Sequence, residues 1–327
     1  MPTTPNLTLQ QADPFGVEAD WLIVPAVEGD SLSPSVAALD VRLGGLVQRL
    51  RQTGDITGKA NEAVPLLSVT GIAARRVLVI GLGKRSEIDR SSLHDAAAAA
   101  ARAVTGKANI RIAAMLPDGV PIDDAVLAFG VGLVQGGVGP GLRKATPIRF
   151  TPEEIVLIAA PGTDSSARDH LVRRAAAEGR AVALARELVN TPPCDLYPES
   201  FADRTRQLAG AGIECTVLDE VAIRGERMGA LLGIAQGSDR PPRVVVYRYR
   251  GGPASRTLGL VGKGVTFDSG GLSIKTNEQM ADMKCDMAGA AAVLGALTVI
   301  AELKLPVNVL GVMALVENMP SGRAVKL

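Results

Sequence analysis

Residues 261–292 read V-G-K-G-V-T-F-D-S-G-G-L-S-I-K-T-N-E-Q-M-A-D-M-K-C-D-M-A-G-A-A-A. An apolar run at 258–261 leads into this stretch and predicts a buried strand, and the alanine-rich run at 287–303 predicts a closely packed helix. Charged groups held between a strand and a helix need partners, which can be one another, solvent or a metal ion. The candidate charged residues, which lie among glycines at 262, 264, 270 and 271, are Lys263, Asp268, Lys275, Lys284 and Asp286.

Two interpretations of this stretch follow from the residues alone. One is a salt-bridged glycine loop, because lysines and carboxylates are common in loops. The other is a metal site, because two carboxylates on such a loop suit a hard or borderline divalent cation. Lysine is an unusual ligand, but its neutral amine can coordinate a metal where the local charge favours loss of its proton.

The residues themselves resemble one enzyme family. V-G-K-G-V-T-F-D-S-G-G-L-S-I-K, followed by M-K-C-D-M-A-G-A-A, closely resembles the leucine aminopeptidase (cytosol aminopeptidase) family of dinuclear metallopeptidases. The resemblance continues in V-N-T-P-P-C-D-L-Y-P-E-S-F, L-L-G-I-A-Q-G-S-D-R-P-P-R and A-L-V-E-N-M-P-S-G-R-A, and it covers residues 186–325 strongly. Over the first 160 residues it is loose and implies a variable N-terminal domain similar to macro domains.

The resemblance implies a role for each of five residues. Lys263, Asp268 and Asp286 match metal ligands, and Asp268 matches the carboxylate that bridges both metals. Lys275 matches the catalytic lysine that polarises the substrate carbonyl, and Met283 matches a methionine that lines the substrate pocket. The family further implies two divalent ions (Mn²⁺ or Zn²⁺), room for a bicarbonate base, a peptide substrate and a homo-hexamer.

The family's second signature, N-T-D-A-E-G-R, does not occur after the E-N-M-P of residues 317–320. By the resemblance, that signature supplies two more metal carboxylates and an arginine. Lys263, Asp268, Lys275 and Asp286 are then one half of an active site, and we expect the chain as given, a C-terminally truncated member, to be inactive. Without metal, the Lys263 amine is expected within about 4 Å of a carboxylate of Asp268 or Asp286.

Two alternative functions remain open at this point. The first is a non-catalytic binding or regulatory protein that keeps the aminopeptidase shell. The second is nucleotide binding by the N-terminal domain. The G-L-G-K-R-S of residues 81–86 follows a strand like a dinucleotide loop, but Ser86 replaces the third glycine of that motif, which favours a plain turn. The glycine run at 136–141 likewise favours a loop over a phosphate cradle.

Three weaker candidates lie close to the main motif. Cys285 is interpreted as a buried small residue rather than a soft metal ligand, because adjacent side chains rarely point the same way. Glu317 and Asn318 are expected just past a strand, where α/β proteins place functional groups. We interpret both as structural supports of the site rather than direct ligands.

The composition is that of a globular protein, with 47% hydrophobic and 21% charged residues. The 35 basic residues balance 34 acidic ones, so the net charge does not indicate binding to nucleic acid or to a membrane surface. Three cysteines without a C-x-x-C pair suggest reduced thiols in the cytoplasm, and two histidines support neither a histidine zinc site nor a Ser-His-Asp triad. Neither a signal peptide nor a membrane-spanning helix is expected.

Strands that alternate with helices predict an α/β protein of two domains. We expect an N-terminal macro-domain-like domain with a mostly parallel sheet at 1–163 and a connecting helix at 164–191. Residues 192–327 then form the N-terminal part of an aminopeptidase-type α/β domain with a mixed sheet. Within these domains the pattern predicts a single helix at 36–50 and a helix at 91–104 capped by Ser91 or Ser92.

Overall fold

The computed structural model describes residues 4–29, 31–138, 144–160, 166–210, 212–253 and 256–326. The chain divides into two compact units, Met1–Arg180 and Ala181–Leu327. Both units combine helices with one sheet, which confirms the predicted two-domain α/β class with mixed sheets.

The first unit is built on a six-stranded sheet. Its strands are β1 (Asn6–Gln11), β2 (Trp21–Ala26), β3 (Ala63–Leu66), β4 (Val77–Gly81), β5 (Arg111–Met115) and β6 (Glu154–Ala159). They lie in the order β1-β6-β5-β2-β4-β3, and every neighbouring pair is parallel except β3 and β4. The inner strands β2, β4, β5 and β6 are mostly apolar runs, as expected for strands buried on both faces, whereas the edge strands β1 and β3 are partly exposed.

Helices cover both faces of this sheet. They are α1 (Pro34–Arg42), α2 (Leu46–Thr53), α3 (Arg90–Val104), α4 (Ile122–Gly137) and the first part of α5 (Asp169–Asn190). One core cluster joins α3 and α4 to strand residues such as Ile23 and Ile112. A second cluster joins α1 and α2 to the alternate strand residues, including Leu22 and Ala113. The unit is therefore a three-layer α/β/α sandwich.

The second unit contains a four-stranded mixed sheet in the order β7-β8-β10-β9. Its elements are the end of α5, α6 (Pro198–Leu208), β7 (Ile213–Leu218), α7 (Glu220–Gly225), α8 (Gly229–Ala235), β8 (Arg243–Arg250), β9 (Leu258–Asp268), α9 (Asn277–Met280), α10 (Ala288–Glu302) and β10 (Asn308–Asn318). β10 runs antiparallel to β8 and parallel to β9. Tyr247, Leu294 and Met313 are fully buried in its core, with α10 packed on the sheet.

Three local predictions in the first unit differ from the structure. The predicted helix at 36–50 is two helices, because Gly44 and Gly45 adopt left-handed backbone conformations with φ of 61° and 77°. Helix α3 is capped by Asp89, whose carboxylate accepts the N–H of Ser92, and not by Ser91 or Ser92. Of the predicted glycine loop at 136–141, Gly136 and Gly137 end helix α4, and residues 139–141 lie outside the described part of the chain.

Two strands of the second unit are longer than predicted. β9 continues from the expected 258–261 to Asp268, and β10 continues to Asn318. Lys263 and Asp268 therefore lie on a strand and not on a loop, and Glu317 and Asn318 belong to β10 instead of following it. For β9 the pattern failed because Gly262 and Gly264 weaken the strand signal, although here they permit close backbone approaches.

One helical segment, Met283–Glu302, is long and apolar enough to cross a membrane, whereas no membrane span was predicted. A single segment of this kind is weak evidence, because core helices of globular proteins pass the same test. Ala290, Leu294 and Leu297 on this segment are fully buried in the core of the second unit. We interpret the segment as a core helix.

Candidate active site

The candidate site lies at the carboxyl ends of two parallel strands, β9 and β10. Their register places Asp268, the last residue of β9, opposite Asn318, the last residue of β10. The register shifts between Val316 and Glu317, a bulge-type irregularity of the kind that re-aims side chains next to active sites. The strand ends therefore bring an acid and an amide together.

Asp268 accepts three hydrogen bonds. Its Oδ2 accepts from the Nζ of Lys275 at 2.8 Å, and its Oδ1 accepts from the Nδ2 of Asn318 at 2.8 Å and the N–H of Gly270 at 3.0 Å. Burial opposes ionisation of this carboxyl, but Lys275, Gly270 and Asn318 together hold the pKa of Asp268 below its ordinary value. The hydrogen bond to Asp268 in turn raises the pKa of Lys275. The pair is ionised at neutral pH.

A tight glycine turn returns the chain so that Lys275 reaches Asp268. Gly270 and Gly271 have φ of +89° and +64°, a backbone conformation that residues with a Cβ rarely adopt. A Cβ on Gly270 would lie 2.2 Å from the carbonyl oxygen of Ser273. The N–H of Lys275 donates to the Ser269 carbonyl at 2.9 Å, which closes the turn. The shape of this turn therefore explains the two glycines of the S-G-G sequence.

The second charged pair joins Lys263 on β9 to Asp286 on the short 3₁₀ segment Met283–Met287. The Nζ of Lys263 donates to the Oδ1 of Asp286, which confirms the predicted ion pair with one of the two carboxylates. The Asp286 side chain is only 16% exposed, and its Oδ2 is buried with no hydrogen-bond partner among the described residues. A buried carboxylate oxygen without a partner is costly unless a cation or water binds it.

Backbone packing holds Asp286 close to β9. A Cβ on Gly262 would lie 2.6 Å from the Cα of Ala290, and a Cβ on Gly289 would lie 3.0 Å from the backbone nitrogen of Lys263. Only glycine permits this approach between the strand and the first turn of α10. The glycines of G-K-G and A-G-A therefore bring the two charged segments together.

A buried ion pair lies directly behind the strand ends. The Glu317 side chain is 1% exposed and accepts hydrogen bonds from the Nζ of Lys326 and, at 2.7 Å, from the Oγ of Ser238. Lys326 also donates to the carbonyl oxygen of Pro193 at 3.2 Å. Glu317 precedes Asn318, so this cluster fixes the backbone from which the Asn318 amide reaches Asp268.

The structure brings four of the predicted site residues into two pairs. Lys275 pairs with Asp268, and Lys263 pairs with Asp286, whose charge also acts on Lys275. Met283 is half-buried on the same 3₁₀ segment as Asp286, three residues earlier, and its substrate role stays a prediction. No cluster of three or more His, Cys, Asp or Glu side chains that could hold a metal occurs within the described ranges.

Sequence reasoning missed Ser238 and Lys326, the two side chains that bind Glu317. Ser238 is 79 residues from Glu317 in sequence, and Lys326 is 9 residues from it. No residue pattern links such distant positions. Glu317 and Asn318 were both expected to support the site, and the contact of Asn318 with Asp268 agrees with that expectation.

Comparison with known proteins identifies the family. Residues 183–327 match the catalytic domain of the cytosol aminopeptidase family, and residues 23–137 match the N-terminal domain of the same family. The chain belongs to the cytosol aminopeptidase family. Among curated relatives, the probable cytosol aminopeptidase of Syntrophotalea carbinolica is 39% identical over 94% of this chain and 64% of its own length.

Other members of the cytosol aminopeptidase family are similarly related. The probable cytosol aminopeptidase of Streptomyces griseus subsp. griseus is 39% identical over 98% of this chain and 65% of its own length. The present chain thus spans about two thirds of the length of these curated relatives.

Two solved structures resemble the chain closely. A tomato leucine aminopeptidase mutant (K354E) matches with a TM-score of 0.82 and 28% identity, over 99% of this chain and 65% of its own. The bottromycin maturation enzyme BotP in complex with Mn matches with a TM-score of 0.75 and 34% identity, over 94% of this chain and 62% of its own. These likenesses support the two-unit fold described above.

Proposed function

We propose that this chain carries the lysine-and-aspartate half of a metalloaminopeptidase site that releases N-terminal residues, leucine among them, from peptides. The observation that carries the proposal is the arrangement at the strand ends, where Lys275 is held on Asp268 beside the Lys263–Asp286 pair. A structural salt-bridge network would not need a buried Asp286 oxygen without a partner. Membership of the cytosol aminopeptidase family supports the peptidase class.

The residues present fit a divalent cation. Asp268 and Asp286 offer carboxylate oxygens, and the unpartnered Oδ2 of Asp286 is available to a cation without breaking a hydrogen bond. Lys263 would contribute a nitrogen after losing its proton, which makes metal binding depend on pH. In the family's two-metal arrangement, two Mn²⁺ or Zn²⁺ ions would activate a water molecule and hold the substrate's amine and carbonyl. The Mn complex of BotP supports manganese as the first metal to test.

Lys275 has a distinct role in this proposal. Its side chain is 26% exposed, and its ammonium is held in place by Asp268. An ammonium fixed in a partly buried site stabilises negative charge that develops on a substrate carbonyl oxygen. Met283 would contact the apolar side chain of the N-terminal residue. Both roles concern the chain's own side chains and can be tested by substitution.

We expect residues 1–327 alone to hold metal weakly and to hydrolyse leucyl substrates little. Lys263, Asp268 and Asp286 offer three ligands with two negative charges, whereas a pair of dications requires more carboxylates. We further propose a cytoplasmic location, a peptide partner and a homo-hexamer for a complete enzyme of this family, as the family resemblance implies. A bicarbonate ion would then act as the base.

The test is a fusion of residues 1–327 to the remaining third of the Syntrophotalea carbinolica relative. We expect Mn²⁺-dependent hydrolysis of leucine p-nitroanilide by the fusion and little by residues 1–327. The variant Lys275→Ala should abolish most of the activity, and Lys107→Ala, at an exposed position in the first unit, should leave it unchanged. A folded fusion that binds peptides without hydrolysing them would favour the binding-protein alternative and overturn the proposal.

A further inference from the structure

The first unit contains a cavity of about 460 Å³ at the carboxyl ends of its parallel strands. The ends of β1, β5 and β6 line it, together with the first turns of α1 and α4. Its walls are mainly apolar, with Phe15, Met115, Val120 and Ile158 among them. The volume lies in the range of small-molecule sites, which are about 300–1,000 Å³ and mostly apolar with a few polar groups.

The position of this cavity follows from the topology of the sheet. After β2 the chain passes through α1 on one face of the sheet, and after β5 it passes through α4 on the opposite face. The direction of winding therefore reverses between the neighbouring strands β2 and β5. In open α/β sheets, the crevice at such a reversal, outside the carboxyl ends of the strands, is where ligands bind. The cavity lies between the first turns of these two helices.

A carboxylate lies at the edge of the cavity. Asp118, in the loop between β5 and α4, accepts from the backbone N–H of Ser35 at 2.9 Å and from its hydroxyl at 2.9 Å. These bonds join the two sides of the crevice and fix the carboxylate. Because an ionised carboxylate has about four lone-pair sites, Asp118 can accept further hydrogen bonds from a ligand.

A cation lies beside the same loop. Arg85, from the G-L-G-K-R-S segment, is exposed and donates its Nη1 to the Asp118 carbonyl oxygen at 3.3 Å. Gly119, whose φ is +70°, lies against this guanidinium, since a Cβ there would be 2.5 Å from the same nitrogen. Arg85 borders a second cavity of about 130 Å³ that shares Gly119 and Val120 with the first. An apolar chamber is thus flanked by a fixed hydrogen-bond acceptor and a guanidinium.

We propose that this cavity binds a small molecule in which a flat ring with an amino group is joined to an anion, the chemistry of an adenine mononucleotide. The ring fills the apolar chamber, the amino group donates to Asp118, and the anion binds Arg85. Guanidinium groups bind phosphate through charge-assisted hydrogen bonds. The site belongs to the first unit and does not depend on the peptidase proposal.

The test is calorimetric titration of the full chain at low salt with adenosine 5′-monophosphate. We expect one site per chain. Inosine 5′-monophosphate, which lacks the amino group, and adenosine, which lacks the anion, should each bind about tenfold more weakly, since a hydrogen bond to a charged group contributes about 1.5–3 kcal/mol. Failure of the chain to bind adenosine 5′-monophosphate, or equal affinity for all three compounds, would overturn the proposal.

Three variants locate the site. Ala38→Phe, on the wall formed by α1, should fill the cavity and abolish binding, whereas Val41→Phe, 80% exposed on the same helix, should bind normally. Arg85→Gln should weaken the binding of adenosine 5′-monophosphate about tenfold and leave the binding of adenosine unchanged. Circular dichroism checks that each variant is folded. Unchanged binding by folded Ala38→Phe would place any nucleotide site elsewhere and refute the assignment.

Discussion

Replacing Lys326 by methionine should destabilise the second unit strongly. Methionine keeps much of the lysine stem but removes the charge. Glu317, 1% exposed, would then keep only the Ser238 hydroxyl as a hydrogen-bond donor within the described contacts. A carboxylate that is buried without a counter-charge is the costly outcome, because its desolvation is no longer offset.

The magnitude follows from the burial of both partners. The Lys326 side chain is 13% exposed and Glu317 is 1% exposed, so solvent screens their interaction little. Removing one partner of such a buried pair costs about 3–5 kcal/mol, and the remaining Ser238 bond favours the lower end. With a urea dependence of about 2 kcal/mol per molar, a loss of about 3 kcal/mol lowers the unfolding midpoint by about 1.5 M.

The aromatic residues permit a unit-specific assay. Trp21 is the only tryptophan and lies in the first unit, while all three tyrosines, at positions 197, 247 and 249, lie in the second. Tryptophan fluorescence therefore follows unfolding of the first unit in urea, and tyrosine absorbance follows the second. Lys326→Met should shift the tyrosine transition alone.

An exposed ion pair in the same unit supplies the control. Arg224 pairs with Glu220 at 3.0 Å on helix α7, with side chains 69% and 46% exposed. Arg224→Met should cost only about 0.3–0.5 kcal/mol, as for other exposed helix pairs. The double variant Glu317→Gln with Lys326→Met should recover most of the stability, because no buried charge remains. A Lys326→Met shift no larger than that of Arg224→Met would refute the reasoning.

Three further predictions concern the candidate site. In the fusion protein, Lys275→Ala should lower kcat by about 100- to 1,000-fold with little change in KM, because its charge acts on the transition state; a near-normal kcat would exclude it. In the same protein Asp268→Asn should reduce metal content at both sites together, measured by elemental analysis, and two retained metals would contradict a bridging role. The folded pKa of Asp268 is depressed, so its stabilising contribution is present above its unfolded pKa near 4 and is lost as pH falls through the lower folded pKa. Asp268→Asn should therefore flatten the acid dependence of stability in urea titrations below about pH 4, and an unchanged profile would contradict the assignment.

The sequence predicted the fold class because the strand and helix periods are clear in both units. The inner parallel strands of the first unit, such as β2 and β4, are continuous apolar runs, which burial on both faces requires. The prediction of a single helix at 36–50 was wrong because an amphipathic pattern carries no information about the left-handed backbone at Gly44 and Gly45. The predicted ends of β9 and β10 were too early because strand pairing, a long-range property, continues both strands through glycines and polar residues.

The sequence predicted which residues form the candidate site but not which of them pair with one another. The motif placed Lys263, Asp268, Lys275 and Asp286 near one another, but which lysine binds which carboxylate depends on the turn at Gly270 and on the approach of α10 to β9. The same tertiary geometry decides that Asn318 reaches Asp268. Local sequence patterns predict neither the pairing of the lysines with the carboxylates nor the contact between Asn318 and Asp268.

The charges of the described site limit what it can bind. Lys263, Lys275, Asp268 and Asp286 form two ion pairs and sum to zero charge. If one divalent ion replaced the proton of Lys263, the four side chains and the metal would sum to +1, and a second ion would raise the sum to +3. Positive charge of that size in a partly buried site is unfavourable without further carboxylates. The electrostatics therefore agree with the proposal that residues 1–327 hold at most one metal weakly, and that two-metal chemistry requires acidic residues beyond these four.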